Sequence, residues 1–258
     1  MKQRTPDAQA KKTFSKNGVA LITDTFNANG FDLHYAKTGN DTFPTLFFVH
    51  GSPDSWTRYE KFMRDKDLLS KYRMIAIDRP GFGYSQFGDA KNLAEQSKLI
   101  SPFVRFMKNE KPVYCVGHSY AGALVIKLQA DDPGLFDGLV LLAAAVDPKQ
   151  EKPEKWRYIM KVPPLKYLLP GAYRPSNTEL VYLKKDLKDL EKEWVKITCP
   201  VWILHGDKDT YVPVANSAYA KYELVNAKAI HVKILPGADH FITHERYEDV
   251  KNVLMKLY

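Results

Sequence analysis

Hydrophobic residues in this chain fall into short unbroken runs, separated by longer stretches with helical spacing. Residues 19–26 read as a strand, and residues 31–36 alternate as a second one. Asn29-Gly30 between them is a hairpin signal, because both residues tolerate positive φ. Six further runs, at 46–51, 74–78, 113–116, 138–143, 201–206 and 231–237, are apolar without alternation. That pattern suits strands covered on both faces of a parallel sheet. Helical patterns lie between 51 and 74, near 90–109, at 123–129, near 214–225 and near 244–257. Strands alternating with helices predict an α/β domain with a mostly parallel central sheet and helices on both faces.

Residues 147–196 break this rhythm. They hold Pro148, Pro153, Pro163, Pro164, Pro170 and Pro175, many Lys and Tyr, and no buried-strand run. Ser176 with Glu179 three residues on has the spacing of a capping box for a helix through Trp194. The segment is expected to form a small helical cap over the carboxyl edge of the sheet. Its aromatic residues, Trp156, Tyr158 and Tyr167 first among them, are the expected substrate-binding wall, the competing role being to glue the cap down. The expected division is a flexible basic leader at 1–17, a core domain at 18–146 and 197–258, and the cap at 147–196.

The composition narrows the class. The 258 residues, 45% hydrophobic, are enough for one large core. No apolar run approaches the roughly 18 residues of a membrane span. The net charge of +8 is unevenly placed: residues 1–17 carry five basic and one acidic residue, and 149–196 carry twelve and seven. The basic residues are mixed with acids and lack interleaved stacking aromatics, so solvated faces explain them better than nucleic-acid binding. The polar start lacks the apolar centre of an export signal, and a cytoplasmic location is expected. Cys115 and Cys199 sit in or beside strand patterns, as reduced core residues do, and no Cys/His cluster has metal-ligand spacing. No metal and no cofactor is expected, and the oligomeric state is left open.

The chemistry gathers at Gly117-His118-Ser119-Tyr120-Ala121-Gly122. A strand precedes it and a buried helix follows, so the chain must bend sharply at Ser119. Gly117 and Ala121 supply the small flanks that such a bend needs, and the Ser119 hydroxyl is pushed out at the strand's carboxyl end. A serine hydroxyl is a weak nucleophile and requires a base, a group that orients the base, and donors for the oxyanion. Of seven histidines, His240 stands in a Gly-rich loop directly past the last strand. His50, His118 and His205 adjoin glycines at strand ends and read as packing residues. Two carboxylates, Asp207 and Asp209, follow the strand ending at Gly206. After the 46–51 strand, Gly51 lets the backbone turn and the Ser52 N–H can face a carbonyl oxygen; the Tyr120 N–H is the second donor.

Five stretches together resemble the α/β-hydrolase family: HGSPDSW at 50–56, DRPGFGYS at 78–85, GHSYAG at 117–122, HGDKDTYVP at 205–213 and GADHF at 237–241. The resemblance implies the order nucleophile, acid, histidine as Ser119, Asp209, His240, with Asp209 chosen over Asp207 as the third residue after Gly206. It also implies a variable cap after the sixth strand. The HGSPDSW stretch is similar to epoxide-hydrolase and dehalogenase branches, whose nucleophile is aspartate; Ser119 in that place argues for ester-type chemistry. The expected function is therefore a serine hydrolase of a small carboxylic ester or related acyl compound. A small-molecule receptor on the same fold, or an acyltransferase, thioesterase or C–C hydrolase variant, is the alternative.

Overall fold

The computed structural model describes residues 4–86 and 90–258. The apolar runs form one eight-stranded sheet: β1 (Ile22–Ala28), β2 (Phe31–Thr38), β3 (Thr45–Val49), β4 (Arg73–Ile77), β5 (Val113–His118), β6 (Gly138–Leu142), β7 (Val201–Gly206) and β8 (Ile230–Leu235). The order across the sheet is β1-β2-β4-β3-β5-β6-β7-β8. β2 runs antiparallel to both β1 and β4, and the remaining pairs are parallel. The helices are α1 (Asp7–Lys16), α2 (Glu60–Met63), α3 (Lys66–Leu69), α4 (Leu93–Phe106), α5 (Ala121–Asp131), α6 (Lys155–Ile159), α7 (Tyr173–Leu190), α8 (Ala215–Glu223), α9 (Ile242–Glu245) and α10 (Tyr247–Leu254). No described helix is long and apolar enough to cross a membrane.

The unbroken apolar runs have a direct explanation. Every residue of β3, β4, β5 and β6 is buried. Successive side chains of a strand point to opposite faces, and here each face meets its own core. Phe47, Val49, Ile75, Ile77 and Cys115 enter one core, and Leu46, Phe48, Met74, Ala76 and Val116 enter the other. Fully burying one large apolar side chain contributes about 1.5–3 kcal/mol, so both faces drive the central strands into place. The hairpin forms at Asn29 and Gly30, with φ of 53 and 85, and Ala28 pairs with Phe31 across it.

Three expectations are corrected. The leader is not loose: residues 7–16 form α1, with Phe14 fully buried and its ring 6.2 Å from that of Trp56. Ala10 and Phe14, four residues apart, share one helix face, so one aromatic anchor and one small residue dock an otherwise polar helix. Residues 1–3, including Lys2, lie outside the described residues. β8 is not covered on both faces. It is the edge strand, with His231 and Lys233 exposed, and charged residues there discourage further strand pairing. Ser176 is not a helix cap. The helix begins at Tyr173, and Ser176 and Glu179 are turned inward. The cap segment is also only partly separate, because Leu183, Leu187, Leu190 and Trp194 belong to one of the two sheet cores.

Candidate active site

β5 ends at His118 and α5 begins at Ala121, leaving two residues for the bend. Ser119 takes φ of 57, a left-handed conformation that costs a non-glycine residue about 1–3 kcal/mol. A Cβ on Gly117 would lie 2.6 Å from the Ala121 carbonyl oxygen and 2.9 Å from a Val125 methyl. Only glycine fits there. β3 is paired with β5, and Val49 lies opposite Gly117. The loop leaving β3 therefore starts beside the bend, and a Cβ on Gly51 would come within 3.1 Å of Ser119 Cβ. Ser119 itself is partly exposed. α5 starts directly after it and directs the positive end of its dipole at this point.

The last two loops converge on Ser119. Its Oγ is 2.9 Å from His240 Nε2, and His240 Nδ1 is 2.7 Å from Asp209 Oδ2. A carboxylate only accepts, so Nδ1 carries the proton and Nε2 is free to accept from the Ser119 hydroxyl. The other Asp209 oxygen accepts the Tyr211 and Val212 N–H groups at 2.9 and 2.8 Å. His205 Nε2 donates to the Val212 carbonyl at 2.9 Å and stands 3.3 Å from Asp209 Oδ2. Burial would raise the Asp209 carboxyl, but hydrogen bonds from His205, His240 and the Val212 N–H hold it well below the usual carboxylate range. Asp207 is exposed and accepts the Gly237 N–H at 2.7 Å, tying its loop to the loop that carries His240.

His118 holds the same loop from beneath. Its Nε2 donates to the His240 carbonyl at 3.0 Å, and the two rings are 4.9 Å apart. Burial first, and the nearby His240 second, push its pKa down to about 3, so His118 stays neutral. Its Nδ1 is buried with no partner.

The cap grips the opposite side of the bend. Ser52 Oγ donates to Ser176 Oγ of α7 at 2.8 Å. Arg79, fully buried, donates to the carbonyls of His50 at 2.7 Å and Gly51 at 2.9 Å. The same guanidinium meets both oxygens of Glu179 on α7, at 2.7 and 2.9 Å, with neither side chain exposed. Burial opposes the Arg79 charge, and Glu179 more than compensates. Among the described residues, no hydrogen bond occupies the backbone N–H of Ser52 or of Tyr120.

The structure thus brings Ser119, His240 and Asp209 together and sets Ser52 and Tyr120 beside them. Among the described residues it shows no such link for Trp156, Tyr158 or Tyr167. Each is exposed, and no hydrogen bond or ring contact among the described residues joins any of the three to Ser119 or His240. The aromatic neighbours of His240 are Tyr211, at 5.4 Å, and Phe241, at 5.5 Å. Sequence reasoning passed over Tyr211, although it stands two residues after Asp209, and it read His205 and His118 as packing residues. The Arg79–Glu179 pair joins residues 100 positions apart and left no local signal. Among the described residues, no group of three His, Cys, Asp or Glu is placed to hold a metal ion.

A strand-loop-helix bend bearing serine, on a mostly parallel sheet and with histidine and aspartate on the following loops, defines a hydrolase fold. The model of the alpha/beta hydrolase family matches residues 46–253, and the chain belongs to that family. It is a hydrolase. It is similar to epoxide hydrolase 1 of Caenorhabditis elegans, at 29% identity over 111 residues, which is 42% of this chain and 27% of that protein. It is similar over a wider span to human monoglyceride lipase, at 25% identity, covering 88% of this chain and 85% of the relative. Among solved structures, the 2-hydroxy-6-oxo-6-phenylhexa-2,4-dienoate hydrolase of Rhodococcus sp. strain RHA1 has the same fold. Its TM-score is 0.71 at 18% identity, over 92% of this chain and 98% of that one.

Proposed function

We propose that this chain is a serine hydrolase that cleaves a small carboxylic ester, or a related acyl compound, through an acyl-enzyme. The observation that carries the reading is the unbroken hydrogen-bonded line from Ser119 Oγ through His240 to Asp209, at 2.9 and 2.7 Å, with Ser119 in the left-handed bend. In the first half-reaction the Ser119 oxygen bonds to the substrate carbonyl carbon while its proton moves to His240 Nε2. Asp209 faces the imidazolium that results. The negative charge on the carbonyl oxygen is taken up by the Ser52 and Tyr120 N–H groups. When the tetrahedral adduct collapses, the bond to the leaving oxygen breaks and His240 returns its proton to form the alcohol. Water then attacks the acyl-enzyme, gives a proton to His240, and a second collapse frees the carboxylic acid and restores the Ser119 hydroxyl. Human monoglyceride lipase, a lipase by name and similar along most of its length, supports the ester reading. The serine at the bend separates this chain from enzymes that open epoxides with an aspartate.

A fluorophosphonate probe should label the protein at Ser119, and activated esters of graded acyl length should be turned over. Labelling that persists unchanged in Ser119→Ala protein would remove the basis of the proposal. In the same reading, the cap segment at 147–196 acts on the site by holding Ser52 through Ser176.

A further inference from the structure

The part of the cap outside the sheet core is α6, a proline-containing stretch and a 3-10 turn at Leu165–Leu168. Residues 156–173 hold eight of the eighteen exposed large apolar side chains among the described residues, including Trp156, Ile159, Val162, Tyr167 and Leu168. Leu168 is 71% exposed, and Ile159 and Tyr167 are 60% exposed. An apolar concentration of this kind on a surface marks an interaction site. The same stretch, 155–174, carries five cations, Lys155, Arg157, Lys161, Lys166 and Arg174, and no acid. Arg157 pairs with Glu154 just outside it. Lys161, Lys166 and Arg174 meet Lys91 around a groove of about 430 Å³, which Glu95 and Tyr182 also line. Lys161 is held over the Tyr182 ring at 4.0 Å and Arg174 over the Tyr167 ring at 5.2 Å. The Arg174 Nε is enclosed without a hydrogen-bond partner.

Apolar tips, aromatic rings and long cations alternate along this strip. The core of a protein interface is depleted of charge, whereas here five cations and no acid are interleaved with the apolar residues along the sequence. A fluid surface with acyl chains beneath and negative charge above suits the alternation. Aliphatic tips enter the acyl boundary, Trp and Tyr sit at the headgroup level, and Lys and Arg extend to phosphates. We propose that residues 155–174 dock this protein onto the surface of an anionic lipid bilayer, with the groove between Lys91, Lys161, Lys166 and Arg174 seating lipid phosphates. The protein lies on the membrane and does not span it.

The test uses full-length Ser119→Ala protein, so that it stands apart from the hydrolase reading. Co-sedimentation is measured with large unilamellar vesicles of phosphatidylglycerol in phosphatidylcholine, and with phosphatidylcholine alone, at about 0.1 M salt. Partition onto the anionic vesicles should exceed that onto the zwitterionic ones by about 25-fold or more, given roughly fivefold for each of at least two engaged cations. Lys161→Ser/Lys166→Ser should weaken it about 25-fold by the same measure. Ile159→Ser/Leu168→Ser should weaken it at least about tenfold, because the apolar tips also bind. Both pairs are at the surface, and unchanged melting temperatures would confirm folding. Lys11→Ser/Lys12→Ser removes the same charge from exposed positions of α1 and should change partition less than about threefold, since surface attraction fades within a Debye length. Absence of binding to anionic vesicles overturns the proposal. So does an equal loss in the α1 variant, or no loss in the Ile159→Ser/Leu168→Ser variant. Binding to soluble polyglutamate but not to vesicles, lost in the cap variants, would assign the strip to an acidic protein instead.

Discussion

The two sides of Ser119 are held by different physics. His240 is fixed from within the core domain: Asp209 meets its ring, His118 its carbonyl, and Asp207 the backbone of its loop. Ser52 lies in a loop whose two ends the core holds, the Arg79 N–H donating to His50 Nε2 at 3.0 Å and the Trp56 N–H to Asp78 Oδ1 at 2.9 Å. Its middle is tied to the cap by a hydroxyl on α7 and by one buried ion pair that reaches across to the same helix. Several short, separate hydrogen bonds keep a proton acceptor in place even if one is lost. One ion pair in a dry site holds only while both partners remain, because either charge left alone is costly. The proposed base is therefore guarded against small changes in the cap, and the proposed oxyanion loop is more exposed to them.

Breaking this comparison starts with Ser119→Ala, which should lower kcat by at least about 10⁴-fold and leave the fold intact, since the three residues act as a unit. Steady-state kinetics with an activated ester checks it. On the cap side, Glu179→Ala strands the Arg79 charge and should cost about 3–5 kcal/mol of stability, read by urea unfolding. Arg79→Met/Glu179→Leu should recover much of that stability and still lose activity, because the His50 carbonyl loses its donor and the Gly51 carbonyl keeps only His50 Nδ1. Full activity in that double variant would show that the strut does not place Ser52. On the core side, Asp209→Asn should lower kcat by at least about 10²-fold; in the serine-protease triad the equivalent change lowers it about 10⁴-fold.

His118 sharpens the comparison through pH. Its folded pKa of about 3 lies below the 6.5 of an unfolded imidazole. Between those values the unfolded chain takes up a proton that the folded chain refuses. This contribution to stability is complete above pH 6.5 and is lost as pH falls toward 3, at about 1.4 kcal/mol per pH unit in mid-window. Unfolding free energies of His118→Gln between pH 6 and 4 should show a shallower slope by about that amount. The smallest effect belongs to Asp207→Asn. It weakens one exposed bond to the Gly237 N–H, about 1 kcal/mol or less, and should leave kcat near normal. An inactive Asp207→Asn beside a near-normal Asp209→Asn would reverse the two roles.

What the sequence made legible follows chemical locality. The bend at Ser119 is encoded within six residues, because the steric demand on Gly117 comes from the next turn of chain. Turn-forming neighbours past a strand end pointed to His240 and narrowed the acid to Asp207 or Asp209, and the resemblance to the family, rather than the local residues, chose Asp209. What escaped depended on distant partners. Phe14 was lost in a polar stretch, since one aromatic residue barely alters average hydropathy yet finds Trp56 to pack on. Ser176 and Glu179 have the spacing of a cap because i, i+3 also places residues on one inward helix face. The cap aromatics were assigned to the site by residue type alone, and all three are exposed.

His240, the proposed proton acceptor, hangs just past an edge strand. Among the described residues β8 pairs with β7 and with no other strand, and four of its six residues are exposed. Such margins open locally far more often than a sheet's centre. A brief fraying of β8 would carry His240 away from Ser119 while Trp56 and Trp194, inside the two cores, stay where they are. In Trp202→Phe protein, which lacks the indole that stacks on His231 of β8, inactivation by mild denaturant should then precede the change in tryptophan emission and reverse on dilution, a fuse that trips before the wiring melts; coincident transitions would place the weak point elsewhere.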